Sequence, residues 1–372
     1  MTKVLFLIPT LAHGGAEKVL VNLANNMDKN KFEVTVQTLF DLGVNKKYLN
    51  SDVIYIGGYK KMLKGNSHIL KLFNPKFLYK HFIKKEYDIV ISYLEGPTAR
   101  IASGCDVKKT KLVSWIHIEQ HNKRRASYSF RSYKEAQACY AKFDKTICVS
   151  ETVKTDFESI FPTINECLVL YNTNESKKIV ELSNEVVDDV DFSKECCNLI
   201  SVAKIVPSKG YDRLMKIHKR LLDSGIKNHI YILGIGEKLT EYQDYLRKNN
   251  IEDTFSFLGF RDNPYKYVRN ADLYVCSSRR EGFSTAVTEA LIVGTPVVTT
   301  NCSGAYEQMG YNNEYGVVTE NNEDSLFEGL KNILTTPNKL EYYAERAKVR
   351  GKAFSTEKTV LAIEKMLLSL VE

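Results

Sequence analysis

Short apolar runs alternate with amphipathic segments along the 372-residue chain. The first apolar run, residues 4–8, is followed by two glycines and by a segment over 16–25 whose apolar positions recur at helical spacing. Runs of this kind are typical of strands buried in a parallel sheet, and their alternation with helices predicts a doubly wound α/β fold. Further strands are predicted over residues 32–38, 88–93, 111–116, 145–150 and 168–171.

The same alternation starts again after residue 195. Five strands are predicted over residues 199–203, 229–233, 254–258, 271–276 and 296–300, with a short last one over 315–318. The acidic stretch 175–195 lacks sustained periodicity and is predicted to hold or border the domain linker. We therefore predict a Rossmann-like domain over residues 1–180, a second over 195–354, and an amphipathic C-terminal helix within 355–372.

Composition predicts a cytoplasmic protein. The chain has no run of eighteen apolar residues, and its first residues lack the basic and apolar regions of a signal peptide. Its eight cysteines show no C-x-x-C spacing, which indicates free thiols in a reducing compartment. A place at the inner face of the cell membrane is a further expectation, which depends on the charge distribution.

Positive charge is concentrated in the first part of the chain. Residues 1–150 carry 25 Lys and Arg against 12 Asp and Glu, and residues 151–372 carry 27 against 33. Within residues 59–85, Pro75 is predicted to separate two short helices that mix apolar residues with lysines. These lysines are Lys60, Lys61, Lys64, Lys71, Lys76, Lys80, Lys84 and Lys85.

Two interpretations of this basic stretch stay open. The helices could lie on an anionic membrane, or they could be ordinary surface helices with their apolar sides on the core. Nucleic acid is not an expected partner because no recognised nucleic-acid motif accompanies the charge.

The most informative chemistry lies in two glutamates eight residues apart, Glu281 and Glu289. Glu281 follows a predicted buried strand, so it is expected at the carboxyl end of the sheet, and Glu289 is expected about two turns into the next helix, on roughly the same face. Backbone N–H groups at the start of that helix would stabilise a phosphate. Spacing alone also fits a solvated helix, but the apolar residues between the glutamates indicate burial. A substrate with hydroxyls and phosphates, such as a nucleotide sugar, suits this arrangement.

The stretch from Arg280 to Leu291 resembles the E-x7-E signature of the retaining glycosyltransferases of family 4. Members commonly have proline where this chain has Ser284. The resemblance implies a GT-B fold, with two Rossmann-like doubly wound domains facing a central cleft and a last helix that crosses back onto the first domain. It also implies that Glu289 accepts hydrogen bonds from the ribose and that Glu281 lies near the transferred sugar. Backbone N–H groups near the phosphate or sugar are assigned to Phe283, Ser284 and Thr285.

Other segments resemble the donor-binding motifs of the same family. In Gly14-Gly15-Ala16-Glu17 the resemblance assigns the N–H of Gly15 to the donor phosphates. Lys204 takes the place of the family's arginine and Lys209 matches its lysine, and both would neutralise the diphosphate. The segment Gly259-Phe260-Arg261 resembles the one that receives the base.

The family resemblance also assigns residues around the transferred sugar and the acceptor. His117, at the end of a predicted strand, matches a histidine that approaches the donor sugar. Glu119 and His121 follow closely and are expected at the acceptor hydroxyls. Glu281, His117 and Lys209 are therefore the expected catalytic residues.

Two other motifs suggest different chemistry. Gly234-Ile235-Gly236 follows a strand, as in a dinucleotide-binding fingerprint, but the third glycine is absent, which makes an oxidoreductase the weaker hypothesis. Asp189-Val190-Asp191 has the form of a metal-binding D-x-D motif. It lies in the acidic stretch rather than after a strand, and we interpret it as a solvated charge run. No metal and no cofactor beyond the nucleotide-sugar co-substrate are expected.

The resulting hypothesis is a retaining, metal-independent glycosyltransferase that acts on a lipid-linked or growing bacterial cell-surface glycan, as in capsule or exopolysaccharide synthesis. A UDP-hexose or UDP-N-acetylhexosamine is the expected donor. Same-face attack is the expected mechanism, although the residues leave Glu281 open as a nucleophile for double displacement. The alternative is a non-catalytic homologue that serves as partner subunit of an active transferase.

Overall fold

The computed structural model describes residues 1–12, 14–62, 66–162, 164–165 and 167–372, with the side chains of 66–68 left out. Lys64 of the basic stretch lies outside the described residues. The chain divides into two compact units. Unit 1 contains Met1–Thr173 and Thr356–Glu372, and unit 2 contains Asn174–Ser355. No helix in the described ranges is long and apolar enough to cross a bilayer.

Unit 1 is a seven-stranded parallel sheet with the order β3-β2-β1-β4-β5-β6-β7. Its elements are β1 (Thr2–Ile8), α1 (Gly15–Asn26), β2 (Phe32–Thr38), β3 (Ile54–Ile56), α2 (Asn66–Leu72), α3 (Pro75–Phe82), β4 (Ile89–Ser92), α4 (Pro97–Ala102), β5 (Lys111–Ile116), α5 (Lys123–Ala126), α6 (Tyr133–Tyr140), β6 (Lys145–Cys148), α7 (Glu151–Ile160) and β7 (Cys167–Val169). The chain runs outward from β1 to β3 and then returns to β4 on the other side of β1, so the sheet is doubly wound.

Continuous apolar runs form the middle of this sheet. Residues 4–8 of β1 are fully buried, and β1 pairs in parallel register with β2 on one side and β4 on the other. The predicted break at Pro75 is confirmed: α2 ends at Leu72, and α3 begins at Pro75, with Asn74 as its N-cap. The Asn74 side chain accepts a hydrogen bond from the Phe77 N–H at 2.8 Å. Such a cap satisfies an N–H group that the helix itself cannot pair.

Unit 2 is a six-stranded parallel sheet with the order β10-β9-β8-β11-β12-β13. Its elements are α8 (Ser176–Ser183), β8 (Cys197–Val202), α9 (Tyr211–Asp223), β9 (Asn228–Leu233), α10 (Leu239–Lys248), β10 (Phe255–Gly259), α11 (Tyr265–Asn270), β11 (Leu273–Cys276), α12 (Thr285–Val293), β12 (Val297–Thr300), α13 (Ala305–Met309), β13 (Val317–Thr319), α14 (Glu323–Thr335) and α15 (Lys339–Gly351). The strand order reverses between β8 and β11, so their carboxyl ends are neighbours at the switch point of the sheet.

The boundary between the units borders the acidic stretch 175–195, as predicted, but the predicted domain bounds at residues 180 and 195 are wrong. Unit 1 ends at Thr173, and residues 176–183 form α8, which packs against α11 and α12 of unit 2. Ile179 is buried, and the Asn263 side chain donates to the Leu182 carbonyl at 2.8 Å. The helix has only eight residues, of which Ile179 and Ser183 are buried, so the stretch has little visible periodicity.

The D-x-D motif is also part of unit 2. The Asp189 carboxylate accepts a hydrogen bond from the Tyr267 hydroxyl at 2.8 Å and forms an ion pair with Arg261 at 3.1 Å. Asp189 is thus exposed, in agreement with a solvated charge run, and it makes these two contacts as well. Its contacts tie the segment after α8 to α11.

The last helix, α16 (Thr356–Leu368), belongs to unit 1. It packs against α1, and the backbone N–H of Asp28 donates to the Glu364 carboxylate at 2.6 Å. Glu364 is buried, so this hydrogen bond offsets the cost of removing its carboxylate from water.

Candidate functional site

The carboxyl ends of β8 and β11 bring Lys209 and Glu281 together. These strands are hydrogen-bonded neighbours, with Leu199 opposite Leu273, although the two site residues are 72 positions apart in sequence. The Lys209 ammonium donates to Oε1 of Glu281 at 2.6 Å, and the Ser278 hydroxyl donates to the same oxygen at 2.6 Å. The candidate site of unit 2 is built around this ion pair.

The two loops that carry the pair are fixed to each other by further hydrogen bonds. The Ser277 hydroxyl donates to the Lys209 carbonyl at 2.9 Å. Arg213, a buried residue in the first turn of α9, donates to the carbonyls of Ser277 and Ser278 at 2.6–2.9 Å. The carbonyl oxygens at the end of β11 are thus paired with a guanidinium rather than with solvent.

Gly210 permits this close approach of the loops. Its φ is +69°, in the left-handed region that favours glycine, and it caps the N-terminus of α9. A Cβ atom at this position would lie 2.0 Å from the Ser277 carbonyl oxygen. Both the backbone conformation and the packing therefore require glycine next to Lys209.

The ion pair holds Lys209 in its charged form. Burial alone would lower the pKa of Lys209, but the Glu281 carboxylate raises it, and the net pKa lies above its usual value. The side chains of Lys209 and Glu281 are 25% and 14% exposed, so the charges are only partly screened by water. A fixed cation in such a place can stabilise negative charge that develops on a phosphate.

The start of α12 lies directly after this pair. Ser284 is the N-cap, and its hydroxyl accepts a weak hydrogen bond from the Val287 N–H at 3.4 Å. The Gln308 side chain donates to the Ser284 carbonyl at 2.7 Å and to the Thr288 hydroxyl at 2.8 Å. A serine thus caps the helix where the family commonly has proline, and Thr285 is the first helical residue.

Glu289 lies on the buried side of α12, which excludes the solvated-helix interpretation. It is 8% exposed, and the Tyr265 hydroxyl donates to its Oε1 at 3.4 Å. Because α12 begins at Thr285, Glu289 lies little more than one turn into the helix, not two as expected. Phe283 is buried between the glutamates and packs edge-on against Phe354 at 5.8 Å.

The G-x-G sequence of unit 2 has a packing role. A Cβ atom on Gly234 would lie 1.9 Å from the Ala203 carbonyl oxygen, and one on Gly236 would lie 2.2 Å from that of Ile205. The glycines let this loop approach the segment after β8, which carries the exposed Lys204. Tight backbone packing thus accounts for both glycines without a dinucleotide.

The predicted base-binding segment lies beside that loop. The N–H of Gly234 donates to the Gly259 carbonyl at 2.8 Å, and Gly259 has a φ of +74°. The next side chain, Phe260, is 54% exposed at the carboxyl end of β10. An exposed aromatic ring at this edge of the sheet offers a stacking surface.

In unit 1, Gly15 is the first residue of α1, with Gly14 as N-cap. The loop before it is held by hydrogen bonds to a neighbouring segment: the Leu11 N–H donates to the Leu42 carbonyl at 2.9 Å, and the Asn45 N–H donates to the Leu11 carbonyl at 3.0 Å. The N–H groups of the first turn of α1 therefore lie at a braced helix N-terminus after β1.

His117 directly follows β5 and is neutral at physiological pH. Burial lowers its pKa to about 3. Its backbone N–H donates to the Glu95 carboxylate at 3.0 Å, and burial raises the pKa of that carboxyl group. The His117 ring packs against the Tyr93 ring with 4.8 Å between centroids.

Glu119 and His121 lie in the loop after β5, and Asp156 of α7 is close to both. The Asp156 carboxylate accepts hydrogen bonds from the N–H groups of Gln120 at 2.6 Å and His121 at 3.1 Å. Potential ligand atoms of Glu119, His121 and Asp156 lie within 4.8 Å of one another. This group could hold a divalent cation, but the hydrogen bonds to Asp156 also explain its place as a loop anchor.

Several site residues were not predicted from the sequence. Ser278, Arg213 and the Arg279–Asp212 pair, which makes two 2.7 Å contacts, all brace the loops around Lys209. Their positions depend on which strands are neighbours, and single residues of these types in loops carry no pattern that would reveal it.

Comparison with known proteins places these observations in a family. The sequence model described as "Glycosyl transferases group 1" matches residues 188–350, and that described as "Glycosyltransferase Family 4" matches residues 13–173. A Campylobacter jejuni N-acetylgalactosamine-N,N'-diacetylbacillosaminyl-diphospho-undecaprenol 4-alpha-N-acetylgalactosaminyltransferase is 32% identical over 205 residues, 55% of this chain and 54% of that protein. This chain thus matches about half the length of that relative. A Haemophilus influenzae protein named as an uncharacterized glycosyltransferase is 23% identical over 97% of this chain and 98% of its own.

Solved structures share the fold at low sequence identity. Anabaena Alr3699/HepE in complex with UDP and glucose has a TM-score of 0.76 and 18% identity, covering 99% of this chain and 100% of that one. The lipopolysaccharide outer core galactosyltransferase WaaB has a TM-score of 0.75 and 17% identity, covering 99% of each chain. Two Rossmann-like units of the GT-B type are therefore shared with these proteins.

Replacing Gly210 by alanine tests the loop geometry. We expect Gly210→Ala to lower the free energy of unfolding by about 1–2 kcal/mol for the left-handed backbone and by about 1–3 kcal/mol more for the contact with Ser277. Gly225→Ala is the matched control, because Gly225 has a φ of +78° but no atom within 4 Å of a Cβ position. Equal losses in the two variants, measured by denaturant unfolding, would contradict the close approach.

The neutral state of His117 predicts a stability change with pH. Because the pKa falls to about 3 in the folded protein, only the unfolded chain takes up this proton between pH 6.5 and 3, so stability decreases as pH falls through that window. His117→Gln should remove about 1–2 kcal/mol of the loss between pH 7 and 5. Burial also lowers the pKa of His218, to about 4, so His218→Gln should likewise reduce the loss of stability at low pH. An unchanged slope in His117→Gln, measured by urea unfolding at each pH, would contradict its burial.

Proposed function

Because the chain belongs to the glycosyltransferases of group 1 and family 4, we propose that it is a retaining, metal-independent enzyme of polysaccharide synthesis. It transfers a hexose or N-acetylhexosamine from its UDP derivative to a lipid-linked or growing cell-surface glycan. The observation that carries this proposal is the Lys209–Glu281 ion pair, beside the N-terminus of α12 and the buried Glu289.

The donor assignment is supported by the chemistry of the site and by the related proteins. HepE was solved with UDP and glucose, and the Campylobacter relative is named for transfer to a diphospho-undecaprenol. In unit 2, the cations near the diphosphate are Lys204 and Lys209. Glu289 accepts from the ribose hydroxyls, and Phe260 and Gly259 contact the base.

Backbone N–H groups complete the donor site. At the start of α12, those of Phe283, Ser284 and Thr285 face the phosphate or the sugar. In unit 1, the N–H of Gly15 at the start of α1 is the group assigned to a phosphate. A helix N-terminus favours such an anion because its first N–H groups lack partners within the helix.

The reaction proceeds by attack on the same face from which the nucleotide leaves. The bond between the anomeric carbon and the phosphate oxygen breaks, a bond to the acceptor oxygen forms, and the departing phosphate takes the acceptor proton. Lys209 stabilises the charge on the leaving group, and the neutral His117 lies by the sugar. Oε1 of Glu281 already accepts hydrogen bonds from Lys209 and Ser278, which makes this carboxylate a poor nucleophile and supports a positioning role.

The acceptor is proposed to meet unit 1, with Glu119 and His121 at its hydroxyls. Support for a lipid carrier comes from the α2–α3 surface, which consists of Ile69, Leu72, Phe73 and Phe77. Leu72 is 75% exposed and Phe77 49% exposed, whereas Leu78 and Tyr79 of α3 pack inward. The core-facing interpretation thus holds for one side of α3 only, and the other side remains apolar and uncovered.

Arginines hold the C-terminal turn of α2 so that this surface is fixed. Arg100 is buried, pairs with Glu135 at 2.9 Å, and donates to the Leu70 and Phe73 carbonyls at 2.8 Å. Arg131 donates to the Lys71 and Leu72 carbonyls at 2.6 and 2.9 Å. With the flanking lysines, the surface suits an anionic membrane.

Nucleotide binding and a chelator test two other parts of the proposal. In the purified protein, UDP should raise the melting temperature more than GDP or ADP does, and EDTA should leave the rate of sugar transfer unchanged.

Substitution of Lys209 tests the catalytic proposal. Lys209→Met should lower turnover of the UDP-sugar by about 10²–10³-fold, because one charge stabiliser of the transition state is lost. Lys219→Met is the control, since Lys219 is a lysine of unit 2 that pairs with Asp223 at 3.1 Å in the C-terminal half of α9 and has no assigned role. Full activity in Lys209→Met would refute the assigned role.

Vesicle binding tests the α2–α3 surface. We expect co-sedimentation with phosphatidylglycerol vesicles and little with phosphatidylcholine. The double variant Leu72→Ser/Phe77→Ser should reduce the bound fraction about tenfold, because each side chain contributes on the order of 1 kcal/mol or more when its apolar area leaves water. Val186→Ser is the control, because it also removes an exposed apolar side chain, but one that lies in unit 2, where Val186 is 78% exposed. Equal binding by both variants would exclude this surface.

A further inference from the structure

Three polar atoms of neighbouring rings in unit 1 are buried and have no hydrogen-bond partner among the described residues. They are the Tyr93 hydroxyl, Nε1 of Trp115 and Nε2 of His117. Tyr93 is 0% and Trp115 1% exposed, so water outside the protein does not reach these two side chains. Tyr93 follows β4, Trp115 lies in β5, and His117 follows β5.

The three rings occupy one compartment. The pairing of Ser92 with Ser114 places Tyr93 beside Trp115, and alternation along β5 puts Trp115 and His117 on the same face of the sheet. The ring centroids lie 4.9 Å apart for Tyr93 and Trp115, 4.8 Å for Tyr93 and His117, and 6.3 Å for Trp115 and His117. Phe6 of β1 packs edge-on against Tyr93 at 5.7 Å and adds an apolar wall.

Several other buried polar groups among the described residues are paired. On the opposite face of the same sheet, the Ser92 hydroxyl donates to the Leu94 carbonyl at 2.9 Å, and the hydroxyls of Ser114 and Thr146 lie 3.2 Å apart. Both ring nitrogens of the buried His218 have partners, at 2.7 and 2.8 Å. A buried polar atom without a partner is destabilising, so three in one place indicate a binding site for a small polar group.

We propose that Tyr93, Trp115 and His117 bind one hydroxyl-class oxygen atom, either an ordered water molecule or a hydroxyl of a bound sugar. The donor and acceptor properties fit: the indole N–H only donates, the phenol does both, and a neutral imidazole nitrogen either donates or accepts. An oxygen with lone pairs and a hydrogen can serve at least two of these groups, as a buried water requires. Burial keeps His117 neutral, which agrees with this role.

The oxygen site gives a role to Tyr93 and Trp115, which the proposed mechanism does not use. A bound oxygen at Nε2 of His117 fixes the ring orientation and the tautomer, so Tyr93 and Trp115 are positioning residues for His117. This task rests on the proposed function, whereas the oxygen site itself does not.

Removal of the Tyr93 hydroxyl tests the site by the sign of a stability change. If the hydroxyl holds an oxygen, Tyr93→Phe lowers the melting temperature of the ligand-free protein or, when the oxygen belongs to a sugar, removes part of the ligand-induced rise. If the hydroxyl has no partner, Tyr93→Phe leaves both values unchanged or raises the melting temperature, which would overturn the proposal. Tyr140→Phe is the control for loss of a paired hydroxyl, because the buried Tyr140 accepts from the Gly96 N–H at 3.4 Å.

A high-resolution crystal structure separates the two sources of the oxygen. Density within hydrogen-bond distance of at least two of the three atoms in the ligand-free protein identifies water, and density that appears only with a UDP-sugar identifies a sugar hydroxyl. No density in either crystal refutes the site.

The positioning role has its own readout. Tyr93→Phe should lower kcat several-fold with little change in KM and shift the ¹⁵N resonances of the His117 ring, whereas a structural role alone would leave the tautomer signals in place. A protein without transferase activity would refute the proposed function, and the melting and density measurements would still decide the oxygen site.

Discussion

The hydrogen-bonded ion pair between Lys209 and Glu281 is the constraint on which the site of unit 2 depends. It joins a loop after β8 to a loop after β11 and places a fixed positive charge at the switch point of the sheet. Two partly buried charges in contact stabilise each other strongly only when their surroundings hold the geometry. The neighbouring residues supply that support.

The support comes from backbone contacts that only certain residues permit. Gly210 has no side chain, so the backbone can pack directly against Ser277. The Arg213 guanidinium donates hydrogen bonds to the carbonyl oxygens of Ser277 and Ser278, which this close packing would otherwise leave unpaired. Ser278 adds a second donor to Glu281. The consequence is a cation and a carboxylate that are in place before any substrate binds, which is what electrostatic stabilisation of a transition state requires.

The sequence predicted those features that depend on local pattern. Apolar runs located the central strands, and the order of strand, glycine turn and helix located Glu281 and Gly15. The sequence did not predict the features that depend on tertiary packing. The acidic stretch 175–195 showed little periodicity because its one helix, α8, is short and buries only Ile179 and Ser183. Short edge strand β3, with three residues, gave no recognisable run.

Site residues followed the same division. Motif residues such as Lys209 and Glu289 could be named from flanking sequence, but their partners could not. Arg213 acquires its role from the pairing of β8 with β11, which brings together residues more than 60 positions apart. Ser278 contacts Glu281 within one loop, but a single serine in a loop carries no pattern that would reveal this. Likewise, Tyr93 and Trp115 read as ordinary core aromatics in the sequence, and only strand register places their polar atoms beside His117.

A double-mutant cycle on Lys209 and Glu281 measures the central interaction most directly. The cycle compares Lys209→Met, Glu281→Gln and the double variant by their kcat/KM for the UDP-sugar. If the pair acts as a unit, the double variant should be about as active as the worse single variant, with a coupling energy of about 1–3 kcal/mol. Additive losses, with a coupling energy near zero, would show that the two residues act independently and would contradict the account.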